Sequence, residues 1–492
     1  AHVLYIDSPR QVGFSYQNKT ENPDHLFDDD KTASDAYLAL EDFFVAYTHL
    51  KKLDFYISGE SYCGVYIPLI TAYTVNKIKA AESTINLKGM IIGNGQVSFK
   101  QDIRTMPSFY YMHSLIGKDI YDGLSDCCVG NDTLGGLYCH YDEIINPINY
   151  EPRPGLNATE KKCVFKILEA AAGDSSRGTD AYNLYQDCYA NPVASRNSDK
   201  EYSTYKSKIA EMRDRGKRVA KAFQGVEDFD SVQLTDLDPH STDNTHGYQC
   251  YMDDATIAYL QNAHLRSALH VPSYVQAWGE CRNIIYEKLY EDMTEQFEVP
   301  MNSGLNLRVL LYNGDIDTVC QFMQAQWFVE ELAHKNNLQE SDRSEWHYQG
   351  VIAGYQTKYT TDGFQLELLT VKGAGHMVPT DRPGPALQMI GSFLRKESYD
   401  TPIPYSLERQ PLLQQYTRQG VPEDDPTPVP TESSPTSPSS VSSTTTTNTD
   451  SSVSTESDTS SSVTTTTVPT TTTTSASSIF TFLTFFVVVL VL

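Results

Sequence analysis

Gly59-Glu60-Ser61-Tyr62-Cys63-Gly64 is the stretch on which the reading of this 492-residue chain turns. The run before it, Leu53-Asp54-Phe55-Tyr56-Ile57-Ser58, has the aromatic and β-branched content of a short buried strand. The run after it, Val65-Tyr66-Ile67-Pro68-Leu69-Ile70-Thr71-Ala72-Tyr73, reads as the entry of a helix. A serine on a sharp strand-to-helix turn needs small neighbours, and the helix N-terminus favours negative charge that develops there. Taken alone, the pattern also suits a serine that caps an ordinary helix.

Partners decide between these readings. On an α/β-hydrolase scaffold an Asp or Glu and then a His follow the serine, each at the end of a later strand. Val309-Leu310-Leu311-Tyr312 is an apolar strand that runs out into Asn313-Gly314-Asp315-Ile316-Asp317. Leu366-Glu367-Leu368-Leu369-Thr370-Val371 is another, ending in Lys372-Gly373-Ala374-Gly375-His376-Met377. Turn chemistry accounts for a Gly-Asp pair by itself, and a loop histidine needs no special role. The required order, met three times at strand ends, favours a Ser61, Asp and His376 site.

These residues resemble the serine carboxypeptidases, and within them the cathepsin A type. The resemblance is carried by Val3-Leu4-Tyr5-Ile6-Asp7-Ser8-Pro9 with Val12-Gly13-Phe14-Ser15-Tyr16, by Gly59-Glu60-Ser61-Tyr62 with Tyr66-Ile67-Pro68, and by Ile92-Gly93-Asn94-Gly95. It continues through Leu311-Tyr312-Asn313-Gly314-Asp315 to Cys320, and ends in Gly373-Ala374-Gly375-His376-Met377-Val378-Pro379-Thr380-Asp381. It implies an α/β-hydrolase fold with a mostly parallel central sheet and an inserted, disulfide-bonded cap. It also implies hydrolysis of C-terminal peptide bonds through an acyl-enzyme. Ser61 would be the nucleophile, His376 the base and then the acid, and Asp317, rather than Asp315, the group that orients the imidazole. The backbone N–H of Tyr62 would donate to the oxyanion, and Glu60 and Met377 would contact substrate. No cofactor or metal is expected.

Glu60, beside the nucleophile, can bind a substrate carboxylate only if it is protonated. Burial and a nearby negative charge both raise a carboxyl pKa, which suits action in acid. A solvated acid at a helix N-terminus is the plainer account.

The odd count of nine cysteines and the sequons at Asn18, Asn131 and Asn157 point to an exported glycoprotein. The resemblance pairs Cys127 with Cys163, Cys128 with Cys139 and Cys188 with Cys250. It places the partner of Cys281 in a segment absent from this sequence. Cys63 and Cys320 are left as thiols near the site, with Cys63 a target for mercurials. Ala1-His2-Val3-Leu4-Tyr5-Ile6 reads as a central strand, and the family's Asn-Gly-Gly-Pro-Gly loop does not occur. The expectation is a chain truncated at its start, with half an oxyanion hole and an unpaired sheet edge. Gln11 stands where the family usually has Gly, and is strained if φ is positive there.

Residues 1–420 form the expected hydrolase domain, with the cap at about 101–245 and a helical return at 254–270. Residues 421–478 are dominated by Ser, Thr and Pro, cannot bury a core and read as an O-glycosylated stalk. Residues 479–492 are apolar apart from Thr481 and Thr484, too short for a spanning helix. They read as a GPI signal, a short tail anchor or simply an apolar end. Membrane attachment through this tail and a homodimer are left open. The 63 acidic residues against 38 basic give a net charge of −25 and exclude a basic nucleic-acid surface. The compartment implied is the secretory pathway, lysosomal or extracellular. An acyltransferase on the same scaffold, or a non-catalytic binding protein, is the alternative to a carboxypeptidase; the intact triad speaks against the latter.

Overall fold

Apolar runs with few breaks make the centre of the sheet. Strand β4 (Leu307–Gly314) buries every residue but Arg308, and β8 (Phe364–Val371) every residue but Gln365. Strands enclosed on both faces have this composition. The computed structural model describes residues 2–20, 23–24, 27–128, 139–172, 180–186, 254–279, 283–404, 480–481 and 487–491. The stalk, Asn131, Cys188, Cys250 and Cys281 lie outside them. The sheet belongs to the compact unit of Ala1–Ile403 and Ser477–Leu492; of the second unit, Pro404–Ala476, only Pro404 is described.

Among the described residues the sheet has nine strands in the order β1–β9–β2–β3–β4–β8–β7–β5, with β6 paired to β7. The further strands are β1 (His2–Ile6), β2 (Phe55–Glu60), β3 (Leu87–Gly93), β5 (Gln339–Glu340), β6 (Ser344–Tyr348), β7 (Val351–Thr361) and β9 (Val487–Val491). Strands β2, β3, β4 and β8 are mutually parallel, and the pairings leave only β7 and β9 running against the rest. This is the mostly parallel central sheet the sequence led us to expect. From Gln356 to Thr360 strand β7 alternates half-buried and buried residues, as an antiparallel strand wet on one face does.

Alternation along the strands feeds two cores. Phe55, Ile57, Met90, Ile92, Val309, Leu311, Leu366 and Leu368 face one side with helices α1 (Asp29–Ala46), α2 (Cys63–Lys79) and α5 (Phe322–Asn336). Tyr56, Ile91, Leu310, Tyr312, Leu369 and Val371 face the other, with Trp346, Tyr399 and the Met389–Phe393 side of α6 (Pro383–Arg395). Helix α2 is buried throughout residues 63–75 except Tyr73, so it reads as apolar all round rather than striped.

The insertion has a core of its own. Ile103, Met106 and Phe109 of α3 (Phe99–Met112) pack with Val164 and Ile167 of α4 (Ala158–Ala172) around Cys127, Cys139 and Cys163. Disulfides Cys127–Cys163 and Cys128–Cys139 close loops of 36 and 11 residues, as the resemblance implied. Residues 254–270 form two short helices, Asp254–Leu260 and Ala263–Ala268.

Strand β1 lies at the end of the described sheet, with Val3 and Tyr5 exposed. The apolar tail supplies its neighbour: β9 lies antiparallel between β1 and β2, in register from His2↔Val491 to Ile6↔Val487. No helix of the described residues is long and apolar enough to cross a membrane.

Candidate active site

Three loops leave the C-terminal ends of the parallel strands β2, β4 and β8, and they carry Ser61, Asp317 and His376. Ser61 sits at φ +63°, a left-handed conformation that a non-glycine residue adopts at a cost. Backbone bonds hold it there: Ser61 N–H donates to the Gly93 carbonyl at 3.1 Å. The Ser61 carbonyl accepts from Gly64 and Gln96 N–H, both at 2.8 Å. Gly64 has to be glycine, since a Cβ there would lie 2.3 Å from the Gln96 nitrogen. The sharp strand-to-helix turn read from the sequence is present.

Asp317 and His376 are fully buried, and His376 Nδ1 donates to Asp317 Oδ2 at 2.7 Å. The same oxygen accepts from Asn94 Nδ2 at 2.8 Å and Cys320 N–H at 3.1 Å, and Oδ1 accepts from Val319 N–H at 2.8 Å. Asp315 serves elsewhere: its Oδ1 accepts from Gly373 N–H at 2.7 Å and pins the turn before His376. Of the two acids in the loop, Asp317 is the one that meets the histidine.

Asn94 escaped the sequence reading as a site residue. It stands at φ +37° after β3, donates to Asp317 and accepts from Gly314 N–H at 2.9 Å, so it stitches two loops together. Its signal was the Gly93-Asn94-Gly95 turn at a central strand end.

Tyr62 is buried, and its hydroxyl donates to Asp29 Oδ1 at 2.8 Å. Asp29 also accepts from Tyr286 at 2.8 Å and from Leu289 N–H at 2.7 Å, which fixes the residue following Ser61. Lys288 Nζ lies 5.4 Å from the Tyr62 ring centroid and 4.7 Å from that of Phe99.

Glu60 retains some exposure, but protein crowds its carboxyl, and this burial pushes it up to about 7. His376 opposes the rise, while Asp317 and Asp381 add to it. Met377 is half-buried and directly follows His376.

Cys63 and Cys320 are buried and carry no disulfide. The Cys63 sulfur lies only 2.6 Å from where a Gly59 Cβ would stand, and burial pushes the thiol up to about 12. That environment keeps it protonated and argues against the mercurial sensitivity expected from sequence. Asp317, Cys320 and His376 bring oxygen, sulfur and nitrogen within 4.8 Å of one another, yet the Asp317 oxygens are already engaged by N–H donors. Gln11 has φ +72°, the strained conformation anticipated for it. Asn18 and Asn157 are exposed.

Strand ends, a serine elbow and a buried His–Asp pair on a mostly parallel sheet define the α/β-hydrolase class. A family model described as serine carboxypeptidase matches residues 1–396. A serine carboxypeptidase of Caenorhabditis elegans is 32% identical over 416 residues, covering 82% of this chain and 76% of that protein. The lysosomal protective protein of Mus musculus is 32% identical over 405 residues, covering 81% of this chain and 76% of that protein. The crystal structure of a prohormone-processing carboxypeptidase from Saccharomyces cerevisiae has a TM-score of 0.48 at 17% identity, over 79% of this chain and 73% of that one. The chain belongs to the serine carboxypeptidase family. Its activity is that of a serine-type carboxypeptidase, and the acyltransferase and binding-protein readings are not favoured.

Proposed function

We propose that Ser61 attacks the last peptide carbonyl of a substrate while His376 takes the hydroxyl proton. His376 then passes that proton to the leaving amino acid, and water hydrolyses the acyl-enzyme by the same route in reverse. Asp317 holds the imidazole with its proton on Nδ1 and stabilises the imidazolium. Tyr62 N–H donates to the oxyanion. Glu60, neutral below about pH 7, donates a hydrogen bond to the terminal carboxylate of the substrate, and Met377 is the second residue assigned to substrate contact. The observation that carries this reading is the buried 2.7 Å contact between His376 and Asp317 at the ends of β4 and β8, in the same parallel sheet whose β2 ends in the Ser61 elbow.

The disulfide-bonded insertion at about 101–245 acts as a cap that admits chain ends only. Disulfides and exposed Asn18 and Asn157 favour the secretory pathway, lysosomal or extracellular, with glycans on both asparagines. Membrane attachment through residues 479–492 is a separate matter, because β9 uses the same segment in the sheet. Release from cells by phosphatidylinositol-specific phospholipase C supports a GPI anchor, and full retention counts against it.

The deciding experiment is labelling by a fluorophosphonate together with release of a C-terminal amino acid from a blocked dipeptide. Wild type should do both and Ser61→Ala neither. Hydrolysis that persists in Ser61→Ala overturns the assignment.

A further inference from the structure

Residues 180–186 belong to neither catalytic loop, yet they are bonded to both. Thr318, next to Asp317, directs its N–H at 3.0 Å and its hydroxyl at 2.7 Å to the Ala181 carbonyl. Leu184 N–H donates to Ile316 at 3.0 Å. On the other loop, His376 N–H donates to the Tyr182 carbonyl at 2.6 Å, and the two rings are 4.9 Å apart. Asn183 Nδ2 donates to Asp381 Oδ2 at 3.1 Å, the oxygen that also accepts from Gly375 N–H at 2.7 Å.

The segment is itself braced. Asp180 Oδ1 accepts from Tyr182 N–H at 2.9 Å, and Asp180 is buried. The approach is so close that a Cβ on Gly375 would lie 2.1 Å from the Tyr182 carbonyl oxygen. A Cβ on Gly314 would in turn lie 2.1 Å from the Gly375 carbonyl oxygen. Two glycines thus let three backbones meet where other residues would hold them apart. Buried N–H and hydroxyl groups on the catalytic loops have their acceptors on this segment, so they hold their places only while it is docked.

We propose that residues 180–186 form a positioning strap, which sets the Asp317 and His376 loops against each other so that Nδ1 meets Oδ2. The strap comes from the insertion, so the insertion contributes to the alignment of the catalytic groups as well as to substrate access. Its residues act through Asp317 and His376, and Thr318 and Asn183 are the side chains that transmit the position.

This inference rests on the triad assignment above, and the experiment separates the two. Thr318→Val removes the hydroxyl donor while keeping the shape, Thr318→Ser restores it, and Asn183→Ala breaks the second tie. A shift of the reacting groups by a fraction of an ångström should lower kcat by about 10- to 100-fold. KM on a blocked dipeptide should stay within about twofold of wild type, because the strap changes alignment and not binding. The rate of Ser61 labelling by a fluorophosphonate should fall with kcat. The low-field proton resonance of the His376–Asp317 hydrogen bond should weaken, and Thr318→Ser should recover both. Should Thr318→Val fail to fold, Asn183→Ala carries the same comparison. Variants that lose only thermal stability, or that raise KM at unchanged kcat, overturn the strap. Hydrolysis by Ser61→Ala would instead overturn the triad itself.

Discussion

His376 Nδ1 stands 2.7 Å from Asp317 Oδ2, and both side chains are shut off from solvent. Asn94, Val319 and Cys320 supply the remaining N–H donors to that carboxylate, so its orientation is fixed from several sides. Asp317→Asn would present an amide to the imidazole and favour the wrong tautomer. We expect kcat to fall by about 10⁴-fold with the fold intact, the loss such a change causes in a trypsin-type triad. Steady-state kinetics alongside circular dichroism checks this, and a loss under tenfold would remove Asp317 from the role.

Glu60 makes a different kind of prediction. Burial first, then Asp317 and Asp381, raise its carboxyl to about 7 against the pull of His376. Below that pH it is a neutral donor; above it, an anion that repels the substrate carboxylate. Wild-type KM should therefore rise as pH passes through about 7. Glu60→Gln cannot ionise, so it should keep activity in acid and carry it to higher pH. An unchanged pH profile would dismiss the role.

Stability should follow the same direction. Burial raises Glu60 from 4.5 to about 7, Asp102 from 3.8 to about 7 and Asp180 from 3.8 to about 6. Between the unfolded and folded values, the folded chain binds more protons than the unfolded one. The contribution is present in full below about pH 4 and is lost as pH rises through 6 to 7. Each unit of difference corresponds to at most about 1.4 kcal/mol. Thermal unfolding followed by fluorescence should give a midpoint several degrees higher at pH 5 than at pH 7.5. The reverse order would contradict the burial of these acids.

Thiol chemistry divides the cysteines. Cys127→Ala with Cys163→Ala opens a 36-residue loop and should cost about 3–4 kcal/mol of unfolding free energy, read by denaturant titration. Cys63, held protonated by burial, should resist iodoacetamide in the folded protein and react only after unfolding. Rapid alkylation of native Cys63 would show that its surroundings are open.

Much of the fold was legible because the central strands are continuous apolar runs with polar residues where they end. Phe55–Glu60, Leu307–Gly314 and Phe364–Val371 lie within two residues of the expected ends. The choice of Asp317 over Asp315 came from the resemblance, and geometry supplies its reason: only Asp317 meets the histidine. Asn94 was hidden because a Gly-Asn-Gly turn looks like ordinary turn chemistry until its neighbour strand is known. The strap at 180–186 was hidden for a related reason, since its ties are largely backbone carbonyls, which no residue type announces. The pairing of β1 with β9 was hidden because apolar alternation tells which residues are buried and not which strand lies alongside.

The pairing of β1 with β9 also imposes an order of events on folding. His2 is opposite Val491, so β1 is joined to β2 only through β9, a strand far away in sequence. During synthesis β2, β3, β4 and β8 can assemble as soon as they emerge. Strand β1 has to wait until β9 has been made. Contacts of such sequence separation are slow to form, and in the interval an apolar strand edge is exposed. The end of the sheet should be the last part of this enzyme to become protected and, on heating, the first to open.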